Sequence, residues 1–265
     1  MSTKPVIGIV ANETRDPGLL YATKVANWLR DNEYAYTFDE ESAYSSDFLI
    51  VLGGDGTMLR ASHTAAKYAT PMLGINLGNM GYLTDVDRHD GIAAIEKMLK
   101  GEFKREQRMM IECRGQLALN EIIIHRDSAS KVMSFRIFVN GNHMDTIRAD
   151  GVIAATPTGS TAYNLSAGGP ILSPDADMIV INAICPHTLY ARPWVISGRD
   201  EITMSHVGAA GEGESTPAIV SMDGCAKFSL KQDEIITIRR SECTACVVKT
   251  AGVDFFGVLR KKMRK

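Results

Sequence analysis

The stretch Phe48-Leu49-Ile50-Val51-Leu52-Gly53-Gly54-Asp55-Gly56-Thr57-Met58 decides the fold. Five consecutive apolar residues suit a strand buried on both faces, as in a parallel sheet covered by helices. The glycines let the backbone turn tightly and approach a ligand with no Cβ in the way. Helix-forming residues follow over 58–68. A helix start offers free N–H groups and the positive end of a dipole, so phosphate is its natural guest. No Gly-Lys-Ser/Thr follows, so this is not a Walker A loop. An acidic residue in a phosphate loop is electrostatically awkward unless Asp55 has a task, such as accepting a hydroxyl proton. The alternative is a plain strand–turn–helix connection with Asp55 as N-cap.

The same rhythm recurs on either side of that turn. Residues 6–10 read as a buried strand, 19–29 as a helix with Ala22, Val25, Trp28 and Leu29 on one stripe, and 72–77 as a third strand. Asp90 reads as the N-cap of a helix carrying Ile92, Ile95, Met98 and Leu99 and closed by Gly101. This predicts an α/β N-terminal open-sheet domain over 1–104. From 105 to 249 the pattern turns mostly β, with strands expected at 117–125, 132–139, 143–148, 151–155, 178–184, 201–207, 218–222, 234–239 and 244–249. Asn140-Gly141 between two such runs is a strong hairpin signal. Residues 208–213 read as a flexible loop. A last helix within 250–265, with Phe255, Leu259 and Met263 on one face, is expected to pack back on the first domain.

With 265 residues, 45% apolar, 23% charged and a net charge of −2, the composition is that of an ordinary globular protein and argues against nucleic acid or membrane as main partner. No apolar run reaches the length of a membrane span and no signal peptide precedes the first strand, so a cytoplasmic protein is expected. The basic end, Arg260-Lys261-Lys262-Met263-Arg264-Lys265, reads as a solvated helix terminus. Five scattered cysteines do not make a disulfide framework. Cys243-x-x-Cys246 fits a strand better than a metal or thiol pair, and no dedicated metal cage is visible.

Two further clusters carry chemistry. Asp150-Gly151 opens a strand running into Thr156-Pro157-Thr158-Gly159-Ser160-Thr161-Ala162-Tyr163-Asn164-Leu165-Ser166. Short hydroxyl, amide and glycine residues at this density offer the many hydrogen bonds a polyhydroxylated nucleotide needs, although Ser/Thr/Gly-rich linkers are common. Asn120-Glu121 interrupts an otherwise apolar strand, and a Glu there is costly unless it reaches solvent, a partner or a ligand.

Together Gly53–Thr57, Asn120-Glu121 and Asp150-Gly151 followed by 156–163 resemble the NAD kinase family, in the same order. Gly74–Gly78, Gly81-Tyr82-Leu83 and the segment 186–193 add to the likeness, which covers about 48 to 225. The resemblance implies the two-domain architecture shared with diacylglycerol kinases, and a phosphoryl transfer from ATP, another triphosphate or polyphosphate to the adenosine 2′-hydroxyl of NAD, giving NADP. It implies Asp55 as general base, and Gly53, Gly54, Gly56 and Thr57 as the phosphate loop. Asn120, Glu121, Thr158, Thr161, Ala162, Tyr163 and Ser166 would hold the dinucleotide. Arg148 and Asp150 resemble positions that meet NAD at a subunit contact, with a plain surface ion pair as the alternative. Asp223 falls where the family has an acidic residue, and His187 reads as structural. A divalent cation, normally magnesium, and a homotetramer or homodimer are also implied. The Gly-Gly-Asp-Gly element is shared with lipid kinases, which would need an apolar acyl cleft that the hydroxyl-rich 156–166 loop disfavours. A nucleotide-binding regulator without turnover would have no need of Asp55.

Overall fold

A computed structural model of the chain describes residues 4–78, 81–127, 132–188, 190–207, 217–250 and 254–263. The chain divides into two compact units, one of residues 1–108 with 243–265 and one of 109–242. The divisions fall inside strands, and so differ from the expected boundaries at 104/105 and 249/250.

In the first unit the chain runs β1 (Ile7–Ala11), α1 (Leu20–Asp31), β2 (Tyr36–Thr37), α2 (Glu40–Tyr44), β3 (Phe48–Gly53), α3 (Asp55–Ala65), β4 (Met72–Asn76), β5 (Val86–Asp87) and α4 (Gly91–Leu99). The pairs β2–β1, β1–β3, β3–β4 and β4–β5 are all parallel. Helices α1 and α4 pack on β1, β3 and β4, which explains the near-continuous apolar sequence of these three strands. Tyr21, Val25 and Leu29 of α1 and Ile95 and Met98 of α4 bury against Ile7, Ile9, Ile50, Leu52, Leu73 and Ile75. Asp90 is the N-cap of α4 by position, but its side chain makes no capping bond, and Gly101, at φ 79°, follows the helix end.

Strand β6 (Lys104–Cys113) leads into the second unit, which continues β7 (Gln116–Ala118), β8 (Glu121–His125), β9 (Met133–Val139), β10 (Asn142–Ala149), β11 (Gly151–Ala155), α5 (Tyr163–Ser166), β12 (Met178–Ile184), β13 (Trp194–Ser197), β14 (Ile202–His206), β15 (Ala218–Met222), β16 (Ala226–Leu230) and β17 (Ile236–Lys249). One sheet has the order β13-β12-β11-β8-β15-β16, and within this unit β10-β9-β14-β17 forms another. Both are antiparallel here. Alternate residues of β8, β11 and β12 (Ile122, Ile124, Val152, Ala154, Ile179, Ile181) pack with Phe135, Ile137, Ile202, Met204, Ile236 and Ile238 in one core, the sandwich arrangement. Asn140 and Gly141 have φ 51° and 75°, the hairpin turn expected of that dipeptide.

Three expectations are corrected. The run 117–125 is not one strand but β7 and β8, interrupted at Leu119-Asn120 by a polar clamp described below. The runs 234–239 and 244–249 are one strand, β17, because Arg239, Arg240 and Glu242 are exposed positions and not a turn. Strand alternation therefore points Cys243 and Cys246, three apart, to opposite faces. Strands β2, β5, β6, β13 and β16 and the short helix α2 have no counterpart among the expected elements. The expected loop at 208–213 lies outside the described residues. The chain ends its described part in α6 (Phe255–Met263), which falls with the first unit, but its buried residue is Val258, and Met263 of the expected apolar face is exposed.

Candidate active site

In the first unit β3 ends on Gly53, Gly54 is the extended N-cap, and Asp55 is the first residue of α3. The helix thus starts three residues before the expected Met58. Asp55 does not cap it; the carboxylate turns instead to the segment 82–84. Oδ2 accepts the N–H of Tyr82 at 2.7 Å, while Oδ1 accepts the N–H groups of Leu83 and Thr84 at 3.0 and 3.1 Å and the Thr84 hydroxyl at 3.1 Å. A Cβ on Gly81 would fall on the carboxylate, so a glycine is required there. A carboxylate offers about four lone-pair sites; Oδ1 is crowded by three donors, and Oδ2 retains one lone pair. Asp55 is therefore both an anchor for this loop and an available acceptor on one oxygen.

Beside it lies a cavity of about 310 Å³ lined by Gly54, Asp55, Gly56, Thr57, Asn12, Arg15, Arg60, Asn76, Gly81 and Lys262. Thr57 is buried, and its Oγ1 accepts from Asn12 Nδ2 at 3.1 Å, which braces the turn. Three cations and the start of an eleven-residue helix around one cavity make a setting that favours an anion. No local pattern marks Asn12, Arg15 or Arg60, while Asn76 belongs to the Gly74–Gly78 segment that adds to the family likeness. Lys262, expected in a solvated helix end, is instead brought to the cavity by α6. Among the described residues no three His, Cys, Asp or Glu side chains are grouped to hold a metal. Asp55 is the one carboxylate in the lining. A magnesium ion held mainly by phosphate oxygens and water fits this donor set; a cage built from protein ligands does not.

In the second unit, register explains how distant sequence clusters meet. β8 lies between β11 and β15 and is antiparallel to both, with Ala155 opposite Glu121 and Met222 opposite Ile122. The start of β8 therefore adjoins the ends of its neighbours, and Asn120-Glu121, the hydroxyl-rich segment and Asp223 converge. The Thr156 N–H bonds the Asn120 carbonyl at 2.8 Å and its hydroxyl donates to the Leu119 carbonyl. Gly159 packs so closely on Asn120 that a Cβ would meet its carbonyl. Asp223, at φ 50°, accepts the N–H groups of Leu119, Asn120 and Glu121 at 2.7, 2.9 and 2.9 Å. This clamp is what breaks the expected strand.

Glu121 is buried, and its Oε2 has no hydrogen-bond partner; the same holds for Thr158 Oγ1. Burial, reinforced by the Asp223 charge and only partly offset by the Tyr163 N–H, pushes the Glu121 carboxyl up to about 8. Thr161 donates to the Thr158 carbonyl at 3.2 Å, Ala162 joins a short 3-10 turn to α5, and Tyr163, half exposed, and Ser166 lie at the two ends of α5. Two buried oxygens lacking partners in one hydroxyl-rich corner are what a ligand-binding surface presents before its ligand arrives.

Asp150 pairs with Arg126, Nε to Oδ1 at 2.7 Å, and not with Arg148 as a plain surface pair would have it. The chain leaves one sheet at Ala149 and enters the other at Gly151, so strand alternation does not carry through Asp150. Asp150 and Tyr163 both line a second cavity, of about 550 Å³, with Ile123, His125, Arg126 and Ser221. Arg148, Asn120 and Glu121 are not in that lining. The backbone N–H of His187 bonds the Arg148 carbonyl at 2.8 Å.

Residues 35–103 match the ATP-NAD kinase N-terminal domain and residues 119–250 the ATP-NAD kinase C-terminal domain. The chain belongs to the NAD kinase family. It is 38% identical to an NAD kinase of Caldanaerobacter subterraneus subsp. tengcongensis, an alignment covering 97% of this chain and 98% of that one. An NAD kinase of Protochlamydia amoebophila is 35% identical, with 97% of both chains covered. The crystal structure of an Archaeoglobus fulgidus NAD kinase in complex with ATP superimposes with a TM-score of 0.83 at 30% identity, covering 98% of each chain. A yeast NADH kinase complexed with NADH shares the fold, with a TM-score of 0.87 at 22% identity over 100% of this chain and 89% of that one. The NAD kinase architecture, an α/β unit followed by a mostly β unit, is thus the fold of this chain. Among its described residues no helix is long and apolar enough to cross a membrane.

Proposed function

We propose that this NAD kinase transfers the terminal phosphoryl group of ATP to the adenosine 2′-hydroxyl of NAD, with Asp55 as the general base. The 2′-oxygen bonds to the γ-phosphorus as the bond from that phosphorus to the β,γ-bridging oxygen breaks; the hydroxyl proton passes to Asp55 and ADP leaves. The observation that carries the reading is the cavity at the start of α3, where Asp55 faces Arg15, Arg60 and Lys262. Cations and helix amides neutralise the charge spread over the transferring group, and one carboxylate oxygen remains to orient the nucleophile. Positioned base catalysis is worth roughly a hundredfold to ten-thousandfold. Magnesium bound to the triphosphate would neutralise part of its charge.

Asn120 and Glu121 engage the adenine and ribose of NAD, and the oxygens of Glu121 and Thr158 that lack partners gain them from hydroxyls of the ligand. Thr161, Ala162, Tyr163 and Ser166 line the dinucleotide pocket. Arg148 and Asp150 act on NAD bound to a second copy, in a homodimer or homotetramer. A matrix of donors (ATP, other triphosphates, polyphosphate) against acceptors (NAD, NADH, diacylglycerol) with the purified chain tests the activity. Label is expected on NAD with ATP as donor; incorporation into lipid alone would contradict the reading.

A further inference from the structure

The last turn of helix α6 carries three consecutive basic residues before Met263, namely Arg260, Lys261 and Lys262, of which only Lys262 is half buried. Val258, one turn earlier on the same face, is the buried residue of the helix, and Asp254 accepts the N–H of Gly257 at 2.6 Å at its start. The helix is thus fixed with Lys262 facing the cavity at the start of α3. Its Nζ lies 3.7 Å from Asp55 Oδ2 and 4.0 Å from the Tyr82 ring centroid. Oδ2 is the oxygen that accepts only the Tyr82 N–H, and Lys262 is the cation beside it.

We propose that Lys262 is a phosphate-donor contact that guards the base: it rests against Asp55 before substrate arrives and passes to the donor's terminal phosphate, opening Oδ2 to the acceptor hydroxyl. At 3.7 Å the pair is an ion contact without a direct hydrogen bond, and a Lys on its flexible stem is released at small cost. A triphosphate on the α3 amides, between Arg15 and Arg60, presents more negative charge than one carboxylate and more acceptor oxygens. No bond to Lys262 forms or breaks, so the lysine acts by charge alone. The cation–π contact with Tyr82 keeps it near the loop that Asp55 anchors. This inference rests on the phosphoryl-transfer reading above.

The test uses the full chain as wild type, Lys262→Met and Lys262→Arg. Binding of inorganic tripolyphosphate and of ATP is measured by calorimetry beside initial rates with NAD, and melting temperature reports folding. Lys262→Met is expected to weaken triphosphate binding and raise the donor KM by roughly tenfold to a hundredfold, the usual range for a lost charged contact. NAD affinity without donor stays within about threefold, and Lys262→Arg recovers most of the loss. Tripolyphosphate tightens NAD binding in the wild type and not in Lys262→Met. Unchanged tripolyphosphate affinity in a folded Lys262→Met overturns the proposal, and so does a wild type whose NAD affinity ignores tripolyphosphate. A wild type that binds triphosphate through Lys262 yet never phosphorylates NAD would overturn the assigned activity and leave the phosphate contact standing.

Discussion

Asp55 anchors the segment 82–84 through its carboxylate and in the proposed function also accepts a proton, and the two roles respond differently to substitution. Asparagine keeps one acceptor oxygen but turns an NH₂ toward either the Tyr82 N–H or the Leu83 and Thr84 donors. Asp55→Asn is therefore expected to lower turnover roughly a hundredfold to ten-thousandfold and also to lower stability by about 1–3 kcal/mol, read by steady-state kinetics and urea unfolding. NAD affinity should stay within about tenfold. Unchanged turnover would remove Asp55 from the chemistry. Glu121 makes a second residue-scale prediction. Its carboxyl is raised in the fold to about 8, against an ordinary value of 4.5, so folding favours the protonated form. Its contribution to stability is complete below the ordinary value and is lost as pH rises through the raised one. Glu121→Gln, always neutral, should gain on wild type progressively between pH 5 and 8, reaching about a few kcal/mol in the ligand-free protein. A stability difference flat across that window would contradict the burial argument.

At the scale of elements, the clamp of Asp223 on three successive N–H groups positions Asn120 and Glu121 at the edge of β8. Asp223→Ala leaves those amides to the loop and is expected to raise the NAD KM about tenfold, with the ATP KM nearly unchanged; equal effects on both substrates would indicate general unfolding. This element also shows where the sequence was readable. The buried strand before Gly53, the helix after it and the Asn140-Gly141 hairpin follow from local patterning, because each is settled by neighbours in the chain. Asn120-Glu121 stood out as polar residues in an apolar run, but the reason for the break, Asp223, lies about a hundred residues away and emerges only from strand register. Arg240 and Glu242 read as a gap in β17 because exposed charges resemble loop residues when the strand's faces are unknown. Arg15, Arg60 and Lys262 carry no local signature, since surface cations are common and only tertiary packing gathers these three around one cavity.

At the scale of the whole molecule, the first unit carries a carboxylate and three cations around a helix start, and the second carries a hydroxyl-rich corner with a buried glutamate. Asp150 stands just before β11 while Glu121 pairs with that strand's last residue, so five residues separate them along the sheet. A role for Asp150 in NAD binding at a second copy predicts that mixed oligomers of Asp55→Asn and Asp150→Ala chains regain activity that neither has alone, measured after co-refolding; no recovery in verified hybrids would contradict it. The account stands or falls on the placement of one hydroxyl. The most direct measurement is the distance from the adenosine 2′-oxygen of bound NAD to the Asp55 carboxylate in a crystal of the assembled enzyme with a non-transferable triphosphate. The account predicts about 2.6–3.2 Å to Oδ2, with Lys262 turned to the phosphate. A 2′-oxygen well outside hydrogen-bond reach of Asp55, or bonded to a different base, would contradict it.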